Sequence, residues 1–175
     1  MTRELRVTRL RTYPVKSFAG NDVQSAAVEP WGLAGDRRWG LVDDAGKNVT
    51  ARMVHHLLGL HADIVDATTI RINDRDGASI TVSAPINAST IPVGFAGLDR
   101  ATPAPDEVNS WISDRIGVPL RLVWQQDPTA RPIPEKHGGL PGESLSLADD
   151  GPLLLVTEAS MRQLNEWIAA DQSLP

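Results

Sequence analysis

Apolar and polar residues alternate with a period of two in several stretches of the first 124 residues. Leu58, Leu60, Ala62 and Ile64 alternate with less apolar neighbours, and residues 69–82 continue the pattern on both sides of a turn. Such alternation is typical of strands that bury one face. We therefore predict a β-meander that closes on itself or is covered. The predicted strands cover residues 5–15, 23–28, 39–42, a return strand from 49, 58–64, a hairpin over 69–82 with its turn at 73–77, and 120–124.

Two stretches change to a helical period. The first, residues 102–117, has Pro105 near its start and Gly117 at its end, which are typical positions for these residues. The second covers residues 158–170, with Thr157 as a natural N-cap. A short helix is also predicted over residues 50–56. The apolar faces consist of Val108, Trp111, Ile112 and Ile116 in the first helix, and of Met161, Leu164, Trp167 and Ile168 in the second.

Residues 125–152 are rich in Pro and Gly and predict a long loop, which is usually functional or mobile at such a length. Residues 153–156 predict a short buried strand. We place a domain boundary in the loop, giving a first domain over residues 1–124 and a second unit over 125–175. The apolar stripe of the last helix needs a cover, so we expect this segment to pack less well than the barrel before it.

Composition excludes several classes of protein. The 175 residues are 41% hydrophobic and 22% charged, as in ordinary globular chains, and the net charge of -5 argues against a general nucleic-acid binder. The chain has no cysteine, so a disulfide framework, a zinc-thiolate site and a thiol nucleophile are excluded. No apolar run has the length of a signal peptide core or a membrane span. A soluble cytoplasmic protein is expected.

Basic residues follow two turns and suggest an anion site. Lys16 and Ser17 come after the bend at Pro14, and Arg37 comes after the glycine-rich residues 32–35. An ammonium, a hydroxyl and a guanidinium fork are the groups that bind phosphate best. Arg52 follows the next hairpin and is expected near the same rim. The alternative is a surface lysine for Lys16 and an ion pair between Arg37 and a neighbouring aspartate, Asp36 or Asp99.

Other candidate sites are weaker. His55, His56 and His61 lack the spacing and the carboxylate of a metal motif, so packing or surface roles are favoured. The pairs Asp43-Asp44 and Asp149-Asp150 each stand close before a glycine and are interpreted as turn residues. Residues 138–142 lack the Lys and Ser/Thr of a nucleotide P-loop, which favours a flexible lid.

Four segments together, residues 13–17, 32–39, 49–52 and 156–161, resemble the MOSC family, named after the C-terminal domain of molybdenum cofactor sulfurase. The resemblance is to the N-terminal β-barrel region and the first part of the MOSC domain, as in the mitochondrial amidoxime-reducing component and its bacterial counterparts. It covers nearly the whole chain. The implied fold is α+β and mainly β: an N-terminal β-barrel with short helices, followed by the start of a MOSC-type β-barrel.

The resemblance also implies a cofactor and an activity. In the family, the residues that match Lys16, Ser17 and Arg37 contact the pterin of the molybdenum cofactor. A later loop also approaches the cofactor, and its counterpart here contains Asp149 and Gly151, where relatives carry hydroxyl residues. The implied activity is reduction of N-hydroxylated small molecules with electrons from a separate redox protein. The polypeptide then orients the cofactor, which performs the chemistry.

One departure from the family concerns the metal. The family ligates molybdenum through a cysteine beyond the Glu158-Ala159-Ser160 helix, whereas this chain reaches Pro175 without a cysteine. We therefore expect a fragment or a truncated homologue with no catalytic residue and no metal ligand of its own, inactive alone. Two alternatives stay open: a non-catalytic domain that binds a partner or a substrate, and a sulfur-carrier or pyridoxal-phosphate-linked protein.

Overall fold

The structure is a computed structural model that describes residues 5–171. It is mainly β with two α-helices, which confirms the predicted fold class. Its strands form four antiparallel sheets of five, three, two and two strands. The strands are β1 (Leu10–Thr12), β2 (Asn21–Val23), β3 (Val28–Glu29), β4 (Gly32–Leu33), β5 (Trp39–Val42), β6 (Asn48–Val49), β7 (His61–Ile64), β8 (Thr69–Asn73), β9 (Ser79–Ser83), β10 (Ile91–Phe95), β11 (Leu98–Pro103) and β12 (Arg121–Trp124), and the helices are α1 (Asp106–Ile116) and α2 (Glu158–Asp171).

The five-stranded sheet curls into a half-barrel. Its strand order is β10-β11-β12-β5-β6, and a bridge between Lys47 and Gly94 brings the two outer strands together. The Gly94 amide donates to the Gly46 carbonyl at 2.8 Å. Gly46 has a positive φ of 79°, and a Cβ there would lie 2.6 Å from the Pro92 carbonyl oxygen. Only glycine therefore allows the strands to approach this closely.

Strand β5 is buried on both faces and divides the core into two clusters. Trp39 and Leu41 pack into the larger cluster with helix α1 and the three-stranded sheet β7-β8-β9. Val42, on the opposite face, packs with Phe95 and Leu147 inside the half-barrel. The residues flanking β5 thus lie where both cores meet, and this strand positions the site described below.

Helix α1 confirms the helical period of its sequence. Val108, Ile112 and Ile116 are buried, and the helix ends at Gly117, which has a left-handed φ of 81°. Trp111 is partly buried against the same cluster. The predicted strands at 39–42 and 120–124 and the hairpin over 69–82 are also confirmed.

Several predicted elements are shorter than the sequence pattern indicated. The strand predicted over 5–15 is ordered as a strand only at β1, and the one predicted over 23–28 is split, since β2 pairs with β1 whereas β3 pairs with β4. The predicted helix at 50–56 is a turn followed by a 3₁₀ helix, His55–Gly59, and β7 begins only at His61. The strand prediction over 23–28 failed because β2 and β3 pair with different short strands, in two separate sheets.

Strands β10 and β11 have no counterpart among the predictions. Pro92, Gly94 and Gly97 interrupt the alternation there, and the register shifts between Pro92 and Phe95. A proline is tolerated in β10 because this strand is at the edge of the five-stranded order. Residues 125–152 form the predicted long loop, with 3₁₀ turns at Pro128–Ala130 and Glu135–His137. The proposed boundary between residues 124 and 125 stays a prediction.

The prediction of a buried strand at 153–156 is wrong. These residues have no regular structure, and Leu154 and Leu155 are 83% and 91% exposed. No strand among residues 5–171 pairs with them, and none of the four side chains is buried. Helix α2 forms as predicted, with Ser160 donating its amide to the Thr157 hydroxyl, but none of its side chains is buried.

Candidate functional site

Lys16 is held at the end of a short parallel bridge to β5. Val15 pairs with Trp39, and the Lys16 amide donates to the Trp39 carbonyl at 2.8 Å. Ser17 follows with a positive φ of 72°, so the chain turns sharply directly after Lys16. The bend at Pro14 and this turn together direct the Lys16 side chain across the mouth of the half-barrel.

The Lys16 ammonium is nearly enclosed. The residue is only 9% exposed, and Nζ donates to the Leu147 carbonyl at 2.7 Å and to Asp149 Oδ1 at 2.5 Å. Burial lowers the pKa of Lys16, since an ammonium loses hydration inside the protein. The pKa of Asp149 is also lowered, chiefly by the hydrogen bond from Lys16. A lowered pKa disfavours the charged form of Lys16 but favours the charged form of Asp149, which is 60% exposed and keeps most of its hydration.

Arg131 organises the loop segment that faces Lys16. It is 6% exposed, and its guanidinium donates to four backbone carbonyls, of which Ala96 lies at 2.6 Å and Ala148 at 2.5 Å. The other two acceptors are the carbonyls of Ser146 and Asp149. Burial lowers the pKa of Arg131 from its usual value. Because four of its five N–H donors go to the backbone, Arg131 shapes the site and does not offer a free fork to a ligand.

We define residues 145–149 as the strap. It crosses the half-barrel mouth, and the Leu147 amide donates to the Arg37 carbonyl at 2.8 Å. Leu145 and Leu147 are fully buried, and the Gln125 side chain donates to the Leu145 carbonyl at 3.2 Å. The strap therefore belongs to the packed core although it has no regular secondary structure.

A cleft of about 320 Å³ opens between Lys16 and the strap. Arg52 stands at its rim with 80% of its side chain exposed, and its Nη1 lies 3.8 Å from Asp149 Oδ2. One carboxylate thus bridges the two cations. The polar residues that line the cleft are Lys16, Asn48, Arg52, Arg131, Asp149 and Asp150.

Arg37 is paired with its neighbour Asp36 and does not line the cleft. It has a left-handed φ of 49°, and its Nη1 donates to Asp36 Oδ2. Its guanidinium carbon lies 4.9 Å from the centre of the Tyr13 ring. Asp36 is buried, which raises its pKa, and it also accepts the Tyr13 amide at 2.6 Å. The ion pair with Asp36, one of the two alternatives, is therefore what the structure contains.

The structure brings together some of the predicted residues and separates others. Lys16, Arg52 and Asp149 meet in the cleft. Arg37 does not line the cleft, but its positive charge helps to lower the pKa of both Lys16 and Asp149. Ser17 is half-buried and Gly151 is exposed, and neither lines the cleft. Arg131 was missed, and its only signal is that it is the single arginine of residues 125–152.

The described residues offer little for a metal ion. Between residues 5 and 171, no three His, Cys, Asp or Glu side chains gather closely enough to hold one. His55 and His56 lie in the 3₁₀ helix, and His61 begins β7. Over the same range there is no helix of the length and apolarity that a bilayer span requires.

Comparison with known proteins indicates the same family as the sequence motifs do. Residues 4–119 match the family model described as the MOSC N-terminal beta barrel domain. A molybdenum cofactor sulfurase of Danio rerio is 29% identical over an alignment of 173 positions, gaps included, which covers 93% of this chain and 20% of the relative. Mitochondrial amidoxime-reducing component 1 of Homo sapiens is 28% identical over an alignment of 170 positions, gaps included, which covers 91% of this chain and 50% of the relative. The Xenopus laevis protein of that name is 26% identical over an alignment of 180 positions, gaps included, which covers 96% of this chain and 52% of the relative.

The chain spans about a fifth of the length of the first of these relatives and about half of the other two.

Proposed function

The chain belongs to the MOSC N-terminal beta barrel domain family, and from this premise we propose that it binds the molybdenum cofactor. Lys16 and Arg52 would hold the phosphate group of its pterin. The observation that carries the proposal is the buried Lys16 ammonium beside a second cation in a cleft of about 320 Å³. A buried charge is costly unless it is paired, and ionisable groups with shifted pKa values cluster at functional sites.

The charges of the cleft suit a phosphate monoester. The cations that line the cleft are Lys16, Arg52 and Arg131. Arg131 uses four of its N–H donors on backbone carbonyls. Lys16 carries three N–H donors, of which two have partners among residues 5–171. The third donor and the exposed guanidinium of Arg52 are therefore available to an anion. Ser17, Arg37 and Gly151 stay predicted binding residues, at the back of the site or next to the strap.

The same residues do not fit the metal. The family resemblance implies a cysteine thiolate as the protein ligand of molybdenum, and the sequence contains no cysteine. The residues at hand therefore fit the anionic end of the cofactor, and this chain as given offers no thiolate to the metal. When bound, the cofactor would supply oxygen-atom chemistry, whereas Lys16 and Arg52 would only hold and orient it.

The names of the relatives support a wider proposal. The sulfurases are named for the molybdenum cofactor and the amidoxime-reducing components for a reduction. We propose that the protein reduces N-hydroxylated small molecules with electrons from a separate redox protein. The non-catalytic interpretation and the sulfur-carrier or pyridoxal-phosphate-linked interpretation stay predictions.

A loading experiment tests cofactor binding. The purified chain is incubated with molybdenum cofactor released from a donor enzyme and passed through a desalting column, and bound pterin and phosphorus are quantified. We expect retention by the wild-type chain and at least about a tenfold loss in Lys16→Met, since one charge-assisted bond to the phosphate disappears. Arg52→Ala should lose less, because Arg52 is exposed.

Two exposed residues give matched controls. Lys136→Met and Arg71→Ala remove the same charges elsewhere on the surface and should retain cofactor like the wild type. A wild-type chain that retains no pterin, or a Lys16→Met chain that retains as much as Lys136→Met, would contradict the proposal.

A further inference from the structure

The carboxylate of Asp149 lies where a ligand anion would lie. Its Oδ1 is 2.5 Å from Lys16 Nζ and its Oδ2 is 3.8 Å from Arg52 Nη1, so its two oxygens contact the two cations of the cleft. Two oxygens of a phosphate group would bridge an ammonium and a guanidinium in the same way. An incoming anion at this position must therefore take the place of the carboxylate.

The backbone of Asp149 is fixed, whereas its side chain is free to turn. Arg131 donates to the Ser146 and Ala148 carbonyls and, at 3.4 Å, to the Asp149 carbonyl itself. The side chain is 60% exposed. Rotation about its own side-chain bonds would carry the carboxylate into water without moving the strap. The contact with Lys16 is thus one that a ligand is able to replace.

We propose that Asp149 is a specificity-determining residue that occupies the anion site when it is empty and admits only a doubly charged group such as a phosphate monoester. This inference rests on the proposed function and reinterprets Asp149, which the sequence had suggested as a binding residue. Asp149 competes with the ligand and does not hold it.

The selectivity follows from charge and from effective concentration. A free carboxylate ligand would only exchange one carboxylate for another, and it must compete with a group tethered in place at a very high effective concentration. A dianionic phosphate matches the two positive charges of Lys16 and Arg52 once Asp149 has left. The phosphate is therefore attracted to the two cations more strongly than the carboxylate that it displaces, whereas acetate is not.

The test compares Asp149→Asn with Asp150→Asn. Asp150 lines the same cleft, but its carboxylate contacts His137, with Oδ1 3.3 Å from the histidine Nδ1. Both changes remove one negative charge, and only the first frees Lys16. Binding of inorganic phosphate, a pterin phosphate monoester and acetate is measured for each chain by NMR titration, which detects weak binding.

We expect Asp149→Asn to bind both phosphate probes about tenfold more tightly than the wild type and to acquire measurable acetate binding. Asp150→Asn should change phosphate affinity by less than about threefold, as a screened surface charge does. Adding Lys16→Met to Asp149→Asn should abolish the gain, and thermal unfolding of each variant confirms that it is folded.

The outcomes separate this inference from the function beneath it. If wild-type protein binds the pterin phosphate but Asp149→Asn binds it no more tightly than Asp150→Asn does, the role of Asp149 is refuted and the proposed function stands. Weaker binding by Asp149→Asn would make Asp149 a ligand and also refute the inference. If neither the wild type nor Asp149→Asn binds either phosphate probe, the proposed function itself fails.

Discussion

Two apolar segments near the end of the chain have opposite fates. The strap contains polar residues between its apolar ones and has no regular structure, yet Leu147 is 1% exposed. Residues 153–156 are Leu-Leu-Leu-Val, a strand-like sequence, yet Leu155 is 91% exposed. Apolar content therefore does not decide which of the two segments enters the core.

The difference lies in the partners available to the backbone. The strap receives hydrogen bonds from Arg131, from the Gln125 side chain and from the Lys16 ammonium, and its Leu147 amide donates to Arg37. No backbone hydrogen bond joins residues 153–156 to any other residue that the structure describes. Because a buried backbone group without a partner is costly, the segment with partners is the one that is buried.

Removing the partners of the strap should give the largest effect. Arg131→Met leaves four carbonyl groups without their donor, and we expect the free energy of unfolding to fall by roughly 3–5 kcal/mol in urea denaturation. Arg162→Met on helix α2 removes an arginine whose side chain is 69% exposed and should cost less than about 0.5 kcal/mol. Equal losses in the two variants would show that the strap does not depend on Arg131.

The next test substitutes one leucine in each segment. Leu147 packs with Phe95 and Val42 inside the half-barrel, so Leu147→Ala should lower the free energy of unfolding by about 3 kcal/mol through lost burial and a cavity. Leu155→Ala should lower it by less than about 0.5 kcal/mol. A loss in Leu155→Ala comparable to that in Leu147→Ala would mean that residues 153–156 are covered in solution.

Acid should weaken the contact between the strap and Lys16. Lys16 lowers the pKa of Asp149, so this carboxylate stabilises the fold above its ordinary pKa and loses that contribution as pH falls through the lowered folded value. The stability difference between the wild type and Asp149→Asn should therefore shrink below about pH 4, from at most about 1 kcal/mol at neutral pH. Urea denaturation of both proteins across the acid range measures this. A difference that stays constant through that range would contradict the contact.

The smallest effect is expected in helix α2. Leu164 and Trp167 lie on its exposed apolar stripe, so Leu164→Ser should change the free energy of unfolding by less than about 0.5 kcal/mol. Light scattering on the same samples should show an unchanged molar mass. A larger loss, together with a lower mass for the variant, would indicate that a second copy covers the stripe.

The local sequence was sufficient to predict those elements that short-range interactions determine. The helix over 106–116, its stop at Gly117 and the hairpin over 69–82 follow from periodicity and turn residues, and all three are confirmed. It was insufficient for β10, where Pro92 and Gly94 hide a strand whose position depends on its contact with Gly46. That contact joins residues 48 positions apart, and no local pattern records it.

The candidate site divides in the same way. The residue types pointed to Lys16 and, through family resemblance, to Asp149 as members of one site, and the cleft contains both. Residue types did not indicate that Asp149 neutralises Lys16, that Arg37 is paired with Asp36, or that Arg131 is committed to four carbonyls.

The sequence by itself determined the family, the mainly β fold class and the basic residues that could meet an anion, since these depend on residue identity and short-range periodicity. Only the tertiary structure decided which cation is buried, which is already paired and which side of the strap faces the cleft. The physical reason is that charge pairing and burial depend on distances across the fold. Lys16 and Asp149 are 133 positions apart along the chain and 2.5 Å apart in space.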